Sequence, residues 1–155
     1  MIGTMEINKI EEVLKTQIDG HLACHADDRT YLTPVSYAYD GHDVYVHSFE
    51  GLKISMMRKN PKVCFQVDHR VNMANWESII TWGLYEEILD KEERIKALQI
   101  LANRKLPIIS SSTTHLTENW PFYSGDLNNI KGIVFRIILT EKTGRFEGNI
   151  ASGQN

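Results

Sequence analysis

No apolar run in these 155 residues approaches the ~20 that a membrane-spanning helix needs, so no membrane association is expected. The opening Met1-Ile-Gly-Thr-Met-Glu6 has no basic region followed by an apolar stretch; it gives no expectation of a secretory leader, and the cytoplasm is the expected location. An excess of basic charge is also missing. With 17 Lys and Arg against 20 Asp and Glu, the formal net charge is −3, the wrong sign for a general nucleic-acid binder. Cysteine is scarce: Cys24 and Cys64 both fall in apolar, strand-like stretches, where a free thiol acts as a small buried hydrophobe. In a reducing compartment no disulfide is expected. There is no Gly-x-Ser-x-Gly, neither cysteine stands at a helix start, and the glycines form neither a P-loop nor a dinucleotide fingerprint. No internal repeat is visible.

The six histidines invite a metal reading, strongest at His21-Leu-Ala-Cys24-His25. On a helix, two histidines four apart share a face. This stretch reads as a strand, where four residues span roughly 13 Å and Cys24 points away from both histidines. No metal is expected there.

What is present is one ordinary domain, long enough for a core of its own. Residues 1–147 are expected to form it, with 148–155 a loose tail. Ile7, Ile10, Val13, Leu14 and Ile18 recur at helical spacing and predict a helix over about Lys9–Ile18, capped by Asn8 with Glu11 and stopped by Gly20. Strands are expected at His21–His25, Tyr31–Tyr39, Val44–His47, Val63–His69, Trp76–Ile88 and Gly132–Thr140. Asp27-Asp28 reads as a turn. Asp40-Gly41 reads as a hairpin turn with both central residues at positive φ. Gly83 within its strand signals a bulge or a close backbone approach. Asp90 with Glu93 should cap a helix over about Lys91–Arg104, with Ile95, Leu98 and Leu101 on one face. Residues 107–131 form a long irregular stretch carrying Trp120 and Phe122, a candidate lid. The final strand is apolar almost throughout and should be covered on both faces. Six strands joined mainly by hairpins, with three marginal helices, favour a small antiparallel barrel over a doubly wound sheet.

The chemistry concentrates at His47-Ser-Phe-Glu-Gly-Leu-Lys53. A strand ends in a polar His47-Ser48 step, and Gly51-x-Lys53 opens a helix that stops at Asn60-Pro61. A helix N-terminus offers unpaired N–H groups and partial positive charge to an anion. Lys53 adds a full charge there. Arg58 and Lys59, by contrast, stand at the end where basic residues simply match the helix dipole. The dipole contributes about 0.3–2 kcal/mol and each charge-assisted hydrogen bond about 1.5–3. Micromolar binding needs about 8 kcal/mol. A phosphate held here therefore implies a larger ligand, with a flat body among aromatics such as Tyr37, Trp76 and Trp82.

Pro34-Val-Ser-Tyr-x-Tyr, Val46-His-Ser-x-x-Gly-x-Lys53 and Asn60-Pro-x-Val-Cys-Phe together resemble the FMN-binding split-barrel superfamily. Within it they resemble the pyridoxamine 5′-phosphate oxidase-related proteins and the branch with nitroimidazole-resistance reductases. Trp76-Glu-Ser-Ile-Ile-x-Trp-Gly83 and Ile138-Leu-Thr-Glu-Lys-Thr-Gly-Arg-Phe-Glu147 are similar to later segments of that group. The resemblance implies a mainly β, six-stranded antiparallel Greek-key split barrel with flanking helices, and a homodimer binding FMN at the subunit interface. It implies that Pro34, Val35 and Ser36 lie along the isoalloxazine, and that His47, Ser48 and Gly51 line the ribityl-phosphate side. Lys53 would bind the phosphate, and Ser78 would reach the cofactor from the partner subunit. His47 is also the candidate catalytic residue, or else a histidine bonded to the phosphate or to nearby backbone. The implied activity is oxidoreduction of a small electron-poor or aromatic substrate. Vitamin B6 is disfavoured: the basic closing segment of true oxidases is missing, and Leu52 stands where a second basic phosphate ligand is common. A non-catalytic flavin carrier or sensor stays open, as does a haem-binding split barrel using His21, His25, His69 or His115.

Overall fold

The computed structural model describes residues 1–104 and 127–148. The expected lid with Trp120 and Phe122, His115 and nearly all of the expected tail lie outside the described residues. In chain order the elements are β1 (Ile2–Thr4), α1 (Ile7–Thr16), β2 (Asp19–Ala26), β3 (Arg29–Ser36), β4 (Ala38–Tyr39) and β5 (Asp43–Ser48). There follow α2 (Leu52–Lys59), β6 (Lys62–Asn72), β7 (Asn75–Glu87), α3 (Lys91–Asn103), a 3₁₀ turn at Leu127–Asn129, and β8 (Ile133–Glu147). Six strands are long, as expected; β1 and β4 add only three and two residues.

Every strand pairing is antiparallel, in the order β3-β2-β6-β7-β8-β5-β4, with β1 added on β8. The ladder begins at β3 and ends at β4 without closing on itself. Yet these two edge strands are consecutive in the chain, separated by Tyr37 alone. The backbone thus carries one edge of the sheet directly to the other, curling it into a barrel with an open seam. This is the split barrel with flanking helices.

Strand alternation sets the core. On β2, Leu22, Cys24 and Ala26 are buried while His21 and His25 are exposed, the expected period of two. Facing residues Phe65, Val67, Ile79, Phe135 and Ile137 meet Ile10, Val13 and Leu14 of α1 and Ile54 and Met57 of α2. A second cluster joins Ala38, Tyr45 and Val134 to Ala97, Leu98 and Leu101 of α3. Strands β5 and β8 are therefore apolar on both faces because the barrel interior covers one and α3 the other. Ile95 stays only half-buried; Ala97 takes its expected place in that contact.

Several local readings need correction. Helix α1 starts two residues earlier than expected, with Glu6 at its N-cap and no side-chain cap, so Asn8 lies inside the first turn. The helix ends at Thr16 with Gln17 as its C-cap, and Gly20 pairs with Val35 in the sheet instead of stopping a helix. Of the two acidic turns, it is Asp27-Asp28 that places both residues at positive φ, 51° and 60°. At Asp40-Gly41 only the glycine does so. There the Asp40 carboxylate accepts from the His42 and Asp43 amides at 2.8 and 2.7 Å, an Asx turn that replaces the need for a second positive φ. Asp90 caps α3 as expected, accepting from the Glu93 amide at 3.1 Å.

The β7–β8 register shifts at Trp82/Gly83. A Cβ on Gly83 would fall on the Ile138 carbonyl oxygen and 2.8 Å from Ile137 Cγ2. The strands touch at backbone level, and no flexible side chain can move aside. Gly83→Ala should therefore lower stability by about 1–3 kcal/mol, the usual cost of overpacking. Urea unfolding followed by tryptophan fluorescence measures it; an unchanged midpoint would show that the strands separate easily.

Candidate functional site

Two strand edges meet at the seam. Strand β3 is the sheet edge, so among the described residues its outward-directed amide and carbonyl groups have no strand partner. Strand β4 pairs with β5 at Ala38↔Tyr45 and Tyr39↔Val44, and that ladder ends before Val46. Continuing that register past Ala38↔Tyr45 sets Ser36 opposite His47 and Val35 opposite Ser48. Pro34 and Ser36 are exposed, whereas Val35 points into the core and offers the seam only its backbone. The Ser36 hydroxyl rests on the Ile18 carbonyl at 3.3 Å.

Beyond the seam lies the strand-to-helix corner. The burial of β5 relaxes at His47 and Ser48, both half-buried. Gly51 is the N-cap of α2, in fully extended backbone at φ 173°. Its conformation does not demand glycine; a Cβ there would meet nothing within 4 Å. What the site gains is room. No side chain caps α2, and its first turn holds no acidic residue. Its leading amides are therefore offered outward, with Lys53 half-buried beside them. Lys53 is near enough for its charge to counter the burial that pushes the Cys24 thiol up.

His47 is fixed from the segment that leads into the neighbouring strand β8. Its Nε2 lies 2.6 Å from the Lys131 carbonyl, which can only accept, so Nε2 carries the proton. Gly132 allows this approach: it stands at φ 104°, and a Cβ would come within 2.6 Å of the Ser48 oxygen and 2.9 Å of His47 Nε2. Arg94 steadies the same segment, donating to the Ile130 and Gly132 carbonyls at 2.7 and 3.2 Å. Burial lowers the His47 pKa, the Lys131 carbonyl partly opposes it, and the Arg94 charge lowers it further. The ring also meets Phe49 edge-on at 5.4 Å. The Lys131 contact is a backbone bond of the kind expected for His47.

Ser78 is not brought to this corner. Strands β2 and β6 stand between β3 and β7, so three strand spacings, about 14 Å, separate it from Ser36 within one chain. Ser78 lies on the outer sheet face, accepting from Gln66 Nε2 at 3.1 Å. The two line a shallow cavity of about 210 Å³ with Asp68, Arg70, Trp76 and Glu77. Gln66 gave no signal in the sequence beyond its place in an alternating strand.

Tyr37 needs correction. It is fully buried, donates to the Leu14 carbonyl at 2.7 Å and packs against Phe65, so its ring faces no ligand. Trp76 donates to Glu147 at 2.9 Å and is half-buried. Trp82 is 40% exposed on the outer face. His21 and His25 point outward while Cys24 points inward, so these three cannot share an ion. Among the described residues no three His, Cys, Asp or Glu gather as a metal site, and no helix is long and apolar enough to cross a membrane.

A family model described as pyridoxamine 5′-phosphate oxidase matches residues 6–145. The chain is 30% identical to a FAD-binding protein from Mesorhizobium loti whose structure superposes with a TM-score of 0.72, covering 96% of this chain and 99% of that one. A candidate 5-nitroimidazole antibiotic resistance protein from Bacteroides thetaiotaomicron shares the fold at TM-score 0.65 and 21% identity, over 94% and 89% of the two chains. The uncharacterized protein RA0666 of Rhizobium meliloti (strain 1021) is 37% identical over 87 residues, 54% of this chain. The match spans only 58% of that relative's length.

The state of His47 predicts a pH dependence. Its folded pKa lies below the ordinary histidine value of 6.5, so the unfolded chain takes up its proton first as pH falls. The contribution to stability is complete above about pH 6.5 and is lost as the pH drops below it. His47→Gln keeps a donor for the Lys131 carbonyl but cannot titrate. Between pH 7 and 5 the variant should lose less stability than wild type in urea unfolding; parallel losses would remove His47 as the titrating group.

Proposed function

Because the chain belongs to the pyridoxamine 5′-phosphate oxidase family, we propose that it binds FMN along the β3–β5 seam and acts as a flavin-dependent oxidoreductase. The observation that carries the reading is the corner itself: an uncapped, acid-free helix start with open space over Gly51 and Lys53 in its first turn. A phosphate dianion fits the leading amides of α2 and the Lys53 ammonium. The Ser48 hydroxyl is close to the same place. The exposed edge of β3 at Pro34–Ser36 offers the flat ring backbone hydrogen bonds through groups no strand uses.

When bound, the flavin supplies the electron-accepting and electron-donating chemistry. This chain's residues place it, keep water from one side, and fix the ring of His47 against Lys131. The expected substrate is small, flat and electron-poor, of the nitroaromatic or quinone type, with a reduced nicotinamide as donor.

A homodimer belongs to the same proposal. Leu32, Ile80, Trp82 and Leu84 are 63, 39, 40 and 41% exposed on the outer face of β3 and β7. Cys64, half-buried, and Ala23 lie on the intervening strands between Leu32 and Trp82. This apolar stripe is suited to a second copy. Ser78 and Gln66 share that face, so a partner would bring them to a flavin that its own chain cannot offer them.

FAD is the second reading, favoured by the Mesorhizobium loti relative, which is named for binding it. Release of the bound cofactor and chromatography against FMN and FAD standards separates the two. Lys53→Ala should reduce flavin occupancy at least about tenfold, the loss of one charge-assisted contact; normally yellow protein would remove Lys53 from the site. Trp82→Glu places a charge in the apolar stripe. It should convert a dimer to monomer in analytical ultracentrifugation and lower occupancy with it; an undisturbed dimer would move the interface elsewhere.

A further inference from the structure

Glu50 directly precedes Gly51, the N-cap of α2, where a carboxylate would ordinarily turn onto the helix's free amides. It does not. Both its oxygens accept from Arg58 in the last turn of the same helix, from Nη1 at 3.0 Å and Nη2 at 2.8 Å. The guanidinium is held in turn by Glu87 at the end of β7, through Nε at 3.2 Å and Nη2 at 2.6 Å. Glu87 is the fixed end of this chain of contacts: its side chain is 18% exposed and it pairs with Phe135 in the sheet.

We propose that Arg58 is a positioning residue for the phosphate corner, holding the Glu50 carboxylate along the flank of α2 so that an incoming dianion meets bare amides and Lys53. This rests on the flavin reading above. Arg58 and Glu50 are 42 and 63% exposed, and an ion pair so wet contributes little to folding. The consequence of the arrangement lies in where it puts the charge. Released, Glu50 would both repel a phosphate and compete with it for the same N–H groups. Two carboxylates gripped by one planar fork is geometry that arginine provides and lysine does not.

The test compares FMN with riboflavin, which lacks the phosphate, by fluorescence titration on the full chain and its Arg58→Ala, Glu50→Gln and doubly substituted variants. Arg58→Ala should weaken FMN about 5- to 20-fold, the effect of one uncompensated charge at a helix start, and leave riboflavin unchanged. Glu50→Gln should bind FMN at least as well as wild type. The double variant should recover to within about twofold of Glu50→Gln, as coupled neighbours do. The proposal fails if Arg58→Ala leaves FMN unaltered, weakens both flavins equally, or is not rescued in the double variant. Should Arg58→Ala not fold, Glu50→Gln alone decides, since weaker FMN binding there overturns the idea. Wild-type protein that binds neither flavin would remove the flavin reading itself, and this inference with it.

Discussion

Tyr37 is the residue on which the barrel turns. It is the only residue between the two edges of the sheet, and each of its polar groups has a fixed partner. Its amide donates to the Ile18 carbonyl at 2.9 Å, its hydroxyl to Leu14 at 2.7 Å, and its carbonyl accepts from Arg104 at 2.7 Å. The ring is fully buried edge-on to Phe65 at 5.0 Å, and burial pushes its pKa far above the ordinary value. A chain turning this sharply would leave backbone groups stranded in the core. Here the Ile18 carbonyl, in the link between α1 and β2, and the Arg104 side chain at the C-cap of α3 satisfy them. The crossing thus carries the chain from one edge of the sheet to the other with its backbone groups paired.

The seam follows from that constraint. Closing a sheet by covalent connection leaves backbone donors and acceptors on β3 without strand partners among the described residues. An exposed edge invites pairing with another chain. In this protein the edge lies beside a helix start and a lysine, the corner proposed above to hold the flavin. Beside the Tyr37 crossing, Glu11, Tyr39 and Lys142 tie α1, β4 and β8 into one block, with the Tyr39 hydroxyl 2.6 Å from Glu11 and 2.8 Å from Lys142. Burial and the Glu11 partner push that hydroxyl up to about 12, so it stays neutral and serves as a structural bridge.

How much of this was legible in the sequence depended on the range of the interaction. Period-two alternation gave the six long strands, and Gly51, Lys53 and Asn60-Pro61 bounded α2 because all are local signals. Gly83 announced the close approach of β8 before β8 could be placed. What could not be read were contacts across the chain. His47 is held by Lys131, 84 residues away, and the only hint was Lys131-Gly132 before an apolar strand. Tyr37 read as a ligand-facing aromatic because alternation says which residues share a face but not where the chain crosses between sheet edges. At Asp40-Gly41 the side chain supplied what the backbone was expected to, and at α1 the tertiary contacts of Ile10, Val13 and Leu14 outweighed the cap.

The electrostatics of His47 also narrow the chemistry the proposed site can perform. Its Nε2 proton is engaged by a carbonyl, and burial with the nearby Arg94 charge favours the neutral ring. To act as a general acid it would have to gain a proton against both effects and release it away from Lys131. General acid catalysis works best when the group's pKa lies near the working pH and its proton faces the substrate; a lowered pKa and an Nε2 proton turned to Lys131 both work against it. Substrates that take electrons from a flavin and their protons from water, as quinones and nitroaromatics do, place no such demand on the protein.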